Sequence, residues 1–162
     1  MNKQKPKTTI LILFFAVLFP LTISGQATEH TDEHPKNEIG LANAPVYFLK
    51  EKVFSYGIHL HYIRTLSDSK FGIGIGYEQV FNAHKHRTFG LIGVYRPFER
   101  LSFTVSPGLA FESESSDIHL AIHLETLYEF EINNLHIGPV LQYAYDTEDI
   151  HVSLGVHVGY GF

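Results

Sequence analysis

Apolar and polar residues alternate with a period of two along most of the chain. From Leu101 one side reads Leu101, Phe103, Val105, Pro107, Leu109, Phe111, and the other Ser102, Thr104, Ser106, Gly108, Ala110, Glu112. The segments from Phe71, from Ile118 and from Ile150 behave in the same way. In the last of them Ile150, Val152, Leu154, Val156, Val158, Tyr160 and Phe162 oppose His151, Ser153, Gly155, His157, Gly159 and Gly161. This period is that of a β-strand with two unlike faces, and no stretch after residue 37 carries a helical period. Turn-forming residues interrupt the alternation about every dozen positions. Eight strands are predicted: Glu38–Leu49, Val53–Thr65, Lys70–Phe81, Thr88–Arg96, Leu101–Glu112, Asp117–Ile132, Leu135–Tyr145 and Ile150–Phe162. Asn133-Asn134 suits a two-residue type I′ turn, in which both residues have positive φ. Asn43 and Pro45 fall on the apolar side of the first strand, where a bulge or shifted register would accommodate them.

Eight antiparallel strands of this length match the smallest up-and-down transmembrane β-barrel. The alternation does not say which side is inside, because a soluble lipocalin- or avidin-like barrel would turn its apolar side inward. Three features favour apolar-outside. The first is an export signal at residues 1–27: Lys3, Lys5 and Lys7, then the apolar run Ile10–Ile23, then the small residues Ser24-Gly25-Gln26-Ala27. The second is the placing of aromatics near strand ends, at Phe71, Tyr128, Phe130, Tyr143, Tyr145, Tyr160 and Phe162. The third is the abundance of Gly, Ala and Ser on the opposite side, which suits a narrow bore. Together with the alternating strand that ends on Phe162, these features resemble the small outer-membrane β-barrels of the OmpA/OmpX type, over residues 38–162.

The resemblance implies an outer-membrane location in a Gram-negative-type envelope, contact with outer-membrane lipid, and insertion by the barrel assembly machinery through the C-terminal strand. It also implies a monomer with both termini on the periplasmic side. The outward turns would then be Lys50–Lys52, Asn82–Arg87, Ser113–Ser116 and Asp146–Asp149. All four are short, which argues against a large recognition surface. Residues 28–37, with His30 and His34, read as a disordered lead.

Composition sharpens this picture in two places. The chain has no cysteine, which excludes a disulfide framework and a lipoprotein anchor. Without the signal, seventeen acidic residues face nine Lys and Arg, so nucleic acid is a poor partner. Eleven histidines are the anomaly.

Register counted from the turns places many histidines on the polar side. With Asn133-Asn134 as a turn, His136 lies opposite Glu131, Gly138 opposite Glu129, and Gln142 opposite Glu125. A four-residue loop at Asp146–Asp149 puts His157 opposite Gly138 and His151 opposite Ala144. His59 and His61 face Ala42 and Gly40 on one side and Gly76 and Gly74 on the other. The expected cluster in the half nearer the termini is His59, His61, Glu129, Glu131, His136 and His157. A second group, His119, His123, Glu125, Gln142 and His151, lies toward the other mouth.

Imidazole with carboxylate is a ligand set for zinc, copper or nickel. Residues i and i+2 of a strand stand about 7 Å apart, so a site must be assembled across strands. The alternative is that these side chains pack and pair with one another, with Arg96 reaching Glu129 or Glu131, and hold no solute. His84-Lys85-His86 reads as an exposed outer loop. An enzyme of the lipid A hydrolase kind would need Ser106 with His123 and Glu125, but all three fall on the polar side, away from an acyl chain. No catalytic residues and no other cofactor are therefore expected.

Overall fold

The computed structural model describes residues 35–67, 69–81, 86–112, 118–147 and 149–162. The strands are β1 (Asn37–Phe48), β2 (Val53–Thr65), β3 (Phe71–Val80), β4 (Arg87–Phe98), β5 (Leu101–Phe111), β6 (Ile118–Tyr128), β7 (Phe130–Ile132), β8 (Leu135–Asp146) and β9 (Ile150–Gly161). β6 and β7 are one crossing interrupted at Glu129, since both pair with β8 in a single unbroken register. Among the described residues the chain therefore crosses eight times, always antiparallel to its neighbours. β1 pairs with β9, from Glu38 opposite Gly161 to Phe48 opposite His151, and this seam closes the sheet into a barrel. Asn37 and Phe162 exchange backbone hydrogen bonds of 2.8 and 2.9 Å at the end that carries both termini, called the terminal end below. The signal at 1–27 and residues 28–34 of the lead, with His30 and His34, lie outside the described residues, as does His84.

The alternation resolves as apolar-outside. Along β8 exposed and buried residues alternate without exception, with Ile137, Leu141, Tyr143 and Tyr145 outward and His136, Gln142 and Ala144 inward. The exposed apolar surface is continuous around the barrel, far beyond the patches that soluble monomers carry. Aromatic pairs ring both ends. Tyr47–Phe54 and Tyr56–Phe81 mark the far end, and Phe71–Tyr95, Tyr128–Phe130 and Tyr160–Phe162 the terminal end. Such girdles suit the two interfaces of a bilayer. Leu91, 67 % exposed, lies midway along β4 between them. Leu91→Arg is expected to cost about 2–4 kcal/mol of folding free energy in lipid vesicles. Phe98→Arg, at the rim, should cost about 0–1 kcal/mol. Equal costs by denaturant titration would show that this face does not meet hydrocarbon.

Several local expectations need correcting. A type I′ turn requires two left-handed residues, but at Asn133-Asn134 only Asn133 has positive φ, at 56°. The register it sets is unaffected: Ile132 pairs with Leu135 and Glu131 with His136. β1 has no bulge opposite β2. Pro45, lacking an N–H, instead leaves a gap in the ladder to β9 between Asn43 and Val46, with the register kept on either side. The Asn43 amide is satisfied on the outer face by donating to the Val156 carbonyl at 3.2 Å. An irregularity does occur between β4 and β5, at Tyr95–Phe98, around Pro97.

The β2–β3 register also differs, by two residues. His59 lies opposite Glu78 and His61 opposite Gly76. A shift of two preserves the face but changes the neighbour, and here it replaces a glycine with a carboxylate.

Candidate metal centre

The bore is filled by side chains in layers. Buried apolar clusters, Ala42 with Leu127 and Val140, and Ile63 with Ile92 and Val94, share the bore with His, Glu, Gln and Arg. The layer nearest the terminal end is built around Glu38 on β1. Arg96 donates to Glu38 Oε2 at 2.9 Å, and the two make a buried ion pair. The other carboxylate oxygen, Oε1, is 3.4 Å from His61 Nε2 and 4.0 Å from His157 Nε2. The two imidazole nitrogens are 3.3 Å apart, and their rings are stacked 10° from parallel. All three residues are buried, and His157 has no exposed surface.

Register explains why these rings meet. Ala42 stands between His59 on β2 and His157 on β9, and Gly40 between His61 and Gly159. His61 and His157 are thus one step apart along the bore, and both lean over Gly40. A Cβ on Gly40 would collide with the Nε2 atoms of both rings. The missing side chain is the space in which they converge.

The triangle formed by these three atoms has the dimensions of a metal site. The point equidistant from them is about 2.1 Å from each, a zinc–nitrogen or zinc–oxygen bond length. Two imidazoles whose Nε2 atoms face each other can share one proton, or both can present lone pairs to a cation. A second group shares Glu38: Glu129 and His136 also offer ligand atoms within 4.8 Å of it and of each other. Glu129 Oε1 lies 3.8 Å from both His157 Nδ1 and His136 Nδ1, and none of these three atoms has a hydrogen-bond partner.

Of the six residues expected in this half, His61, His157, His136 and Glu129 gather around Glu38. Glu131 does not: it is exposed at the rim, two residues past Glu129, the last buried inward position before the turn. His59 stands one layer away. Its ring lies 5.5 Å from that of His61, and its Nδ1 accepts from Gln142 at 3.1 Å and sits 3.5 Å from Glu125. Gln142 also donates to Glu125 at 2.7 Å and accepts from Ser153 at 2.8 Å, which ties this middle layer together.

Beyond it, toward the far end, Glu78 faces His123 and His151. His119 sits at the rim, with its Nδ1 3.0 Å from the Thr147 hydroxyl. His86, expected in an exposed loop, is buried. Its Nε2 is 3.2 Å from the Thr88 hydroxyl and 3.7 Å from Asp146. Burial holds the His86 imidazole below the ordinary histidine range, against the raising effect of Glu78 and Asp146.

No protein-family model matches the sequence, and no curated protein matches it. Solved structures do. The barrel is similar to Ail, the attachment invasion locus protein of Yersinia pestis, with a TM-score of 0.58 at 15% identity, covering 80% of this chain and 100% of that one. It is similar to Neisserial surface protein A (TM-score 0.55, 11% identity, 78% of this chain and 96% of that one). It is also similar to the N-terminal β-barrel domain of Pseudomonas aeruginosa OprF (TM-score 0.50, 18% identity, 80% and 100%). The fold is that of the small outer-membrane β-barrels. At these identities the likeness concerns architecture, and the activity must be argued from this barrel's own interior.

Three interior residues escape a reading of the sequence. Glu38 and Glu78 sit on the polar side of their strands, but their neighbours depend on closure and on the β2–β3 register. His86 shares parity with Thr88, which continues the inward face of β4 by two residues and was the available signal.

Proposed function

We propose that this chain is a monomeric outer-membrane protein, with its terminal end periplasmic, whose plugged lumen binds one divalent transition metal between Glu38, His61 and His157. The observation that carries the reading is the convergence of three buried ligand atoms on one point at bonding distance, in a space opened by Gly40. Nitrogen and carboxylate donors suit zinc, and after it copper or nickel, better than magnesium or calcium, which favour all-oxygen sites. Glu129 and His136 stand close enough to steady His157 through its Nδ1. The role is binding and not catalysis. Ser106 lies opposite His123 as a hydrolase would need, but both are buried in the bore, with no approach from the outer face for an acyl chain.

The test is a zinc titration of the barrel refolded in detergent, with folding checked by the slower migration of the boiled band. A saturable zinc equivalent that disappears in His157→Asn and in His61→Asn is the expected result. Zinc uptake indifferent to both substitutions, or none at all, would leave a lumen that is packed and ion-paired without a solute.

A further inference from the structure

The basic residues of this acidic chain are gathered at one end. Lys36, Arg64, Lys70, Arg96 and Arg100 all stand at the terminal end, before β1, near the end of β2, before β3, near the end of β4 and before β5. Arg96 is engaged by Glu38, and the other four are exposed. Lys70 donates to the Pro97 carbonyl at 2.8 Å. Among the described residues the side chains of Lys36, Arg64 and Arg100 have neither a hydrogen bond nor an ion pair.

Three of these cations line one recess. It has a volume of about 1340 Å³ and opens at the terminal rim between the start of β1, the β2–β3 turn and the β4–β5 turn. Pro97 interrupts the β4–β5 ladder there, and the Lys70 bond to its carbonyl ties the two turns together. Lys36, Lys70 and Arg100 share the lining with Leu66, Phe98 and Tyr128, and Glu99 is the one carboxylate among the described lining residues. Phe98 is 69 % exposed. Tyr128 belongs to the recess and also to the aromatic girdle, through Phe130, so the recess opens at the height of a bilayer's headgroups. Arg64 lies just outside it, on the outer face of β2 opposite Ile73 and one residue from the strand's end. A charge on that face without a protein partner must reach a headgroup or water.

We propose that this recess is a docking site for one anionic phospholipid of the periplasmic leaflet. Lys36, Lys70 and Arg100 hold its phosphodiester, and its acyl chains lie over Leu66, Phe98 and Tyr128. Ammonium and guanidinium groups are the usual partners of phosphate oxygens. A soluble anion would use the cations and leave the apolar wall idle, whereas a phospholipid uses both. The volume exceeds that of most small-molecule pockets and leaves room for a headgroup with the first part of its chains. The leaflet rests on the periplasmic placing of the terminal end in the proposed function, and zinc plays no part in it.

Native mass spectrometry of the full chain, refolded in detergent, counts the lipids it retains. The probe is a mixed micelle with equal phosphatidylglycerol and phosphatidylcholine. One phosphatidylglycerol per barrel, kept in preference to phosphatidylcholine, is the expected result. The triple variant Lys36→Gln/Lys70→Gln/Arg100→Gln should bind it on the order of a hundredfold more weakly, from roughly a factor of five per cation. Lys50→Gln/Lys52→Gln, at the far end, should bind it as the wild type does, with folding of each variant checked by its boiled band. No preference in the wild type, a preference that the triple variant keeps, or an equal loss in both variants would overturn the site. So would release of the lipid by inorganic phosphate, which would make it a site for a soluble anion. The leaflet is tested separately with Ser67→Cys, which introduces a cysteine on the recess into a chain that has none. In intact cells it should resist a maleimide too large for porins and react once the outer membrane is opened. Reaction in intact cells would overturn the leaflet and the orientation in the proposed function, whatever the micelles show.

Discussion

Arg96→Met is expected to destabilise the metal-free barrel by about 3–5 kcal/mol, which is the usual cost of removing one member of a buried ion pair. Arg96 and Glu38 are each 3 % exposed, and their contact at 2.9 Å is the shortest ion pair among the described residues. Methionine keeps the volume and the packing, so the loss isolates the charge left on Glu38. The same substitution should tighten zinc binding. With the guanidinium gone, a divalent ion becomes the strongest available counter-charge for Glu38, and part of the lost stability should return at saturating zinc through linkage. Urea titrations with and without zinc would measure both effects. A deficit that zinc does not reduce, with unchanged affinity, would mean that Glu38 is not a ligand.

The second large effect is expected from a single added methyl group. In Gly40→Ala the new Cβ occupies the place where His61 and His157 converge. Side-chain ends can swing away, so the fold should survive with a cost of about 1–3 kcal/mol for overpacking, reduced by the lower backbone entropy of alanine in the unfolded state. The rings cannot swing away and still present their nitrogens to one ion. Zinc affinity at this site should therefore fall about a hundredfold or more, beyond the loss typical of a group that only supports a ligand. Gly93→Ala is the control: its Cβ would meet only Val105, at an ordinary 3.6 Å. Equal zinc affinity in the two variants would sink the convergence argument.

The fold was legible in the sequence because the period of two admits no other regular structure, and two tight connections pin the pairings on either side of β8. Asn133-Asn134 and Asp146–Asp149 place His136, Gly138, Ala144, His151 and His157 opposite the neighbours counted for them. The loop after β2 was less informative. Leu66 to Lys70 are compatible with a turn at either of two positions, and the hydrophobic pattern cannot distinguish shifts of two. That ambiguity hid Glu78 from His59. Contacts across the bore were harder still. Arg96 on β4 meets Glu38 on β1, three strands around the ring, and such neighbours follow from strand tilt and stagger rather than from pairing. Glu131 illustrates the opposite error, since sharing the parity of Glu129 does not keep a residue inside at the rim.

The seam between β1 and β9 gives the site around Glu38 a property that none of its residues has separately. His61 belongs to the second strand and His157 to the last, and β1 supplies both the carboxylate and the glycine between them. A sheet with that seam unzipped would keep every histidine and still hold no triangle. An ion bound there, as proposed, would be a latch across the final joint of the ring, and its bond energy would oppose the opening of that joint.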